Sequence, residues 1–111
     1  MERNAVKSNK KPYKELIING LYRDWKDFYD PNKEEIYKSI IEIFEEFKNT
    51  RKKSLVLKIS AKFKNADWNT EFEFHRNETI VLKRDILPFF EENEDYEMCG
   101  QILNLHKELT L

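Results

Sequence analysis

Across residues 36–63 the spacing of apolar side chains changes from helical to alternating, which confines the chain to a fold with both helix and sheet. Ile36, Ile40, Ile43, Phe44 and Phe47 fall on one helical stripe, while Glu42, Glu45 and Glu46 face away from it. Asp30 can accept from orphan N–H groups at a helix start, and Pro31 suits a first position where no N–H is needed. Glu34 and Glu35 complement the positive end of the dipole. These signals predict a helix over 31–48. After the turn Asn49-Thr50-Arg51-Lys52-Lys53 the period becomes two. Leu55, Leu57, Ile59, Ala61 and Phe63 then alternate with Val56, Lys58, Ser60, Lys62 and Lys64, as a half-buried strand requires.

Phe72 and Phe74 alternate with Glu71, Glu73 and His75 and predict a second strand. Pairing Lys64 with Asn69 across the loop Asn65-Ala66-Asp67-Trp68 sets Ala61 opposite Phe72, Ile59 opposite Phe74 and Lys62 opposite Glu71. Thr79 to Arg84 reads as a third strand, with Ile80 and Leu82 inward and Lys83 beside Glu71. The expected solvent face thus carries a Lys62–Glu71–Lys83 ladder, which fixes register more than it stabilises. The inward face would hold Leu55, Leu57, Ile59, Phe63, Phe72, Phe74, Ile80 and Leu82.

Residues 1–11 are nearly devoid of apolar side chains and read as a flexible basic tail, leaving 12–111 as a single compact domain. From Pro12, the spacing of Ile17, Leu21, Trp25 and Phe28 predicts another helix to about residue 29. Asn19-Gly20 competes with that reading, because the same dipeptide is a strong hairpin signal. Downstream, Asp85 would cap a short helix with Pro88 in its first turn. Asn93 would cap a last helix, Glu94 to Leu109, with Tyr96, Cys99, Ile102, Leu103, Leu105 (or His106) and Leu109 on one broad face. The expected fold class is α+β: two N-terminal helices, a three-stranded antiparallel β-meander and a C-terminal helical hairpin.

Within residues 88–109, the stretch Glu92-Asn93-Glu94-Asp95-Tyr96-Glu97-Met98-Cys99-Gly100 resembles the second helix of a UVR motif. The resemblance lies in an acidic and aromatic start followed by small residues. It departs at Gln101-Ile102-Leu103-Asn104, where the motif has Leu-Arg-Asp. It implies a short antiparallel helical hairpin that mediates protein–protein contact.

Composition supports a folded core. Leu, Ile, Val and Phe make up 31 of 111 residues, above the roughly 20% at which chains fail to bury enough apolar surface. No apolar run approaches the ~18 residues of a membrane span, and the polar N-terminus lacks a signal h-region, so a cytoplasmic location is expected. Two glycines cannot build a phosphate-cradling or dinucleotide loop. His75, His106 and Cys99 lack the paired spacing of a zinc site. Cys99 and His106 would sit about 10 Å apart along one helix, too far for direct proton transfer. No enzyme, cofactor or metal is expected.

The net charge of −1 averages over opposed segments. Residues 48–66 carry seven bases and no acid, whereas residues 85–97 carry six acids and no base. Such asymmetry suits electrostatic steering toward a larger charged partner. The leading expectation is a non-catalytic protein-binding module, a small inhibitor or regulator (mobile-element or phage type) of a larger nucleic-acid-handling protein or ribonucleoprotein. Its acidic face would be Glu91, Glu92, Glu94 and Asp95. Its basic face would be Arg51, Lys52, Lys53, Lys58, Lys62 and Lys64, with Trp68. The alternative is direct single-stranded nucleic-acid binding, with the bases of 48–64 tracking a backbone and Trp68 stacking on a base.

Overall fold

The structure, a computed structural model, describes residues 11–64 and 66–111. All of the expected tail but Lys11 therefore lies outside the described residues. The chain runs β1 (Lys14–Tyr22), α1 (Trp25–Asn49), β2 (Ser54–Phe63), β3 (Ala66–His75), a π-helical turn (Leu82–Ile86), α2 (Leu87–Glu92) and α3 (Tyr96–Leu109). The three strands form one sheet in the order β1-β2-β3. β1 is parallel to β2, and β3 is antiparallel to it. The class is α+β, but the sheet is mixed and one N-terminal helix replaces the expected two.

The first correction concerns residues 12–29. Ile17 and Leu21 are 64% and 68% exposed, while Leu16 and Ile18 are buried, so the working period is two. Near the end of the strand stands Gly20, whose φ of +151° L side chains rarely adopt and whose Cβ would collide with the Tyr22 ring. α1 starts six residues before the expected Pro31. Asp24 is extended and its carboxylate accepts from the Asp27 N–H at 2.8 Å, while the Asp27 carboxylate accepts from Arg23 N–H at 3.0 Å. These two capping bonds outweigh Pro31, which lies inside the helix on its exposed side. The expected C-terminal end, 48, is met within one residue.

The second correction concerns residues 79–84, which are not a strand. Leu82 and Ile86 are fully buried at helical spacing, and Ile80 is 54% exposed. The Leu87 N–H bonds to Leu82 O, the i→i−5 pattern of a π turn. Asp85 pairs with Arg84 at 2.8 Å rather than capping, and Asp95 instead of Asn93 caps α3 through the Met98 N–H at 3.2 Å.

The hairpin itself forms, four residues away from the expected register. Phe63 pairs with Ala66, Ala61 with Trp68, Leu57 with Phe72 and Lys58 with Glu71. An even slip leaves every side chain on its expected face. It changes only the partners, and the ladder becomes Glu15–Lys58–Glu71, with Lys58 3.7 Å from Glu15.

As the crossover between parallel β1 and β2, α1 packs over those two strands. Phe28, Ile43, Phe44 and Phe47 from the helix meet Leu57 and Ile59 in a core where none exceeds 1% exposure. The C-terminal helices pack against one another, and α3 also contacts α1. The inner face of β3 is less well covered: Phe74 is half-buried and Phe72 is 39% exposed. That asymmetry opens a groove beside β3.

Candidate functional site

Because α1 sits over β1 and β2, an apolar groove of about 370 Å³ remains between the helix and β3. Leu57 and Ile59 form its floor, Phe72 and Phe74 one wall, and Trp25, Tyr29, Ile36, Tyr37 and Ile40 the other. Trp25 stacks on Tyr29 with ring centroids 5.5 Å apart. The Tyr29 and Tyr37 hydroxyls lie 2.9 Å apart and satisfy one another. Burial, the Tyr37 contact and the Asp85 and Asp30 carboxylates push the Tyr29 hydroxyl well above its ordinary pKa. Lys33 lies over the Tyr29 ring at 5.2 Å, and Phe89 meets Tyr37 edge-on at 5.4 Å. With Trp25 47% and Phe72 39% exposed, the groove offers two large aromatic surfaces to a partner.

The expected basic face is not a single surface. Arg51, Lys52 and Lys53 precede β2, and Lys64 follows it, so the two groups are separated by roughly 30 Å of strand. Between them, Lys58 is flanked by Glu15 and Glu71, and Lys62 faces Asp67. Trp68 points to the other side of the sheet, where its ring meets Trp25 at 5.3 Å and Phe28 at 5.5 Å. Stacking aromatic and basic track are on opposite faces. Any retention of single-stranded RNA or DNA is accordingly expected to change less than about twofold on Lys58→Glu with Lys62→Glu. Abolition by that pair in a salt titration would reinstate the nucleic-acid reading.

Of the expected acidic face, Glu91, Glu92 and Glu94 are exposed at the α2–α3 junction, whereas Asp95 is half-buried and held by its capping bond. Cys99, near the start of α3, is buried. Burial, aided by Glu91 and Asp95, pushes its thiol up and away from the reactive thiolate. His75 is exposed at the end of β3, and His106 lies in the last turn of α3. Among the described residues, no three or more His, Cys, Asp or Glu side chains converge where a metal ion could sit. No described helix is long and apolar enough to cross a membrane.

Sequence reasoning missed the groove, although it placed Phe72 and Phe74 on the correct face. Residues 12–29 held the missing signal: once Leu16 and Ile18 make a parallel strand, the crossover helix is drawn over β1 and away from β3. No family model, curated protein or solved structure matches the chain.

Proposed function

We propose that this chain is a non-catalytic protein-binding module that receives an apolar segment of a larger partner protein in the groove between α1 and β3. The observation that carries this reading is the pair Trp25 and Phe72. Both are large aromatic side chains left substantially exposed on a preformed apolar surface. Aromatic anchors seated in such surfaces contribute most of the energy of an interface, while surrounding charges mainly affect association rate. The exposed acids Glu91, Glu92 and Glu94 fit that second role.

The test is a binary binding measurement with a partner captured from lysate, identified and then purified. Trp25→Ala combined with Phe72→Ala is expected to weaken the complex by about 30-fold or more, at the level of hot-spot truncation. Because both side chains are partly exposed, the double variant should keep its cooperative melt. Glu91→Lys with Glu92→Lys should change the association rate and its salt dependence by less than tenfold. A partner that binds the groove variant as tightly as wild type would overturn the reading.

A further inference from the structure

We propose that β3 accepts an extended segment of the partner as a fourth strand, in which apolar residues alternate with Lys or Arg. This rests on the protein-binding reading and specifies what the groove takes.

β3 pairs with β2 over ten consecutive positions without a register shift, and among the described residues no strand borders its other side. The Arg76 N–H donates to Lys53 O at 2.9 Å, which sets the phase of the ladder. In an antiparallel pair the bonding positions alternate. The even-numbered residues of β3 therefore bond β2, and residues 67, 69 and 71 turn their N–H and C=O groups outward. At the far end, the outward N–H of His75 donates to the Glu78 carboxylate at 2.7 Å, which closes the edge there.

Natural edge strands usually resist further pairing through Lys, Pro, bulges or short length. The opposite edge, β1, carries Lys14, Gly20 and a register shift between Ile18 and Tyr22. β3, Ala66–His75, has ten residues and contains no Lys, Pro or Gly. An added strand would lie about 4.8 Å outward, with alternate side chains directed to each face of the sheet. Its inward side chains would stand beside Phe72, the outer wall of the groove, and reach over it toward Trp25. Its outward side chains would lie beside Asp67 and Glu71, which face Lys62 and Lys58 of β2 on their other side, so bases in the added strand would extend that alternating ladder.

The same charges argue against a second copy as occupant. Any two-fold antiparallel pairing of β3 with itself, centred anywhere from residue 69 to 73 on matching faces, sets two carboxylates directly opposite. A heterologous basic strand relieves that repulsion.

The probe is an acetylated, amidated seven-residue peptide of alternating Lys and Val, followed by the fluorescence of Trp25 and Trp68 and by amide hydrogen exchange. Saturable binding is expected, with the amides of Asn69 and Glu71 slowed at least tenfold. A peptide with Glu replacing Lys, or with the same residues in two blocks, should bind at least tenfold more weakly. Asp67→Asn with Glu71→Gln should weaken the Lys peptide by about tenfold. Equal binding of the Glu peptide, or a fluorescence change without amide protection, would overturn strand addition. So would a dimer by sedimentation that protects the same amides. If the peptides fail while Trp25→Ala still releases the natural partner, the strand is overturned and the groove stands. A partner indifferent to Trp25→Ala overturns the groove itself.

Discussion

Phe28→Ala is expected to remove about 3–5 kcal/mol of folding stability, a large share of what a domain of this size possesses. Phe28 is fully buried. Its ring meets Tyr22 edge-on at 5.2 Å, Trp25 at 5.4 Å, Trp68 at 5.5 Å and Phe63 at 5.8 Å. These neighbours come from the end of β1, the first turn of α1 and both strands of the hairpin, so one side chain joins all three strands to the start of α1. Truncation would leave a void that four rigid rings cannot easily collapse to fill. Denaturant unfolding followed by tryptophan fluorescence reads the effect directly, because Trp25 and Trp68 both touch the site. Phe28→Leu should cost less than half as much, since it retains most of the volume. Ile17→Ala, at a side chain 64% exposed, should be nearly neutral. A loss below about 1.5 kcal/mol for Phe28→Ala would mean that this cluster is loosely packed.

The contrast between Phe28 and Ile17 also shows how the sequence misleads over 12–29. Ile17, Leu21, Trp25 and Phe28 have helical spacing, yet only Phe28 is buried. The true signal, Leu16 and Ile18 as inward neighbours in a short strand, spans too few residues to outweigh the longer helical pattern. A parallel edge strand also depends on β2, which lies beyond a 25-residue helix. That pairing is non-local and leaves no trace in local spacing. By contrast, α1 and the β2–β3 hairpin are legible because each stripe is repeated over several turns or alternations. The register slipped because Asn65-Ala66-Asp67-Trp68 looks like a loop, whereas Trp68 gains more by joining the aromatic cluster around Phe28. The site inherits the same division. Alternation alone puts Phe72 and Phe74 on the inward side, but their exposure follows from which strands the crossover helix covers. The Lys58 and Lys62 charges were visible in the sequence. Their neutralisation by Glu15, Glu71 and Asp67 needed the register.

Arg76 lies just past the end of β3, and its replacement is expected to have the second largest effect. α1 ends at Asn49 with Thr50 extended and no glycine to fold the chain back over the last carbonyls. Thr50 Oγ1 satisfies one of them, Glu46 O, at 2.8 Å. The Arg76 guanidinium supplies further donors: Nη2 to Phe47 O and Thr50 O, and Nε to Lys52 O at 3.1 Å. It also lies over the Phe47 ring at 5.7 Å, while its own backbone N–H holds Lys53 O. A delocalised cation thus sits at the negative end of a 25-residue helix and ties that end to the start of β2 and the end of β3. Arg76→Ala removes the charge and three side-chain bonds from a partly buried position, which should cost about 3 kcal/mol. For a domain near this size, that corresponds to a fall in Tm of roughly 10–20 °C. Arg76→Lys should recover less than half, because an ammonium is a point charge and cannot reach several carbonyls with a planar fork. Amide exchange should show where the loss begins, with residues 47–50 and the Arg76 amide opening before the centre of α1. If Arg76→Lys restored full stability, charge alone would account for the effect. If Arg76→Ala cost under about 1 kcal/mol, water would be satisfying those carbonyls as well as the guanidinium does.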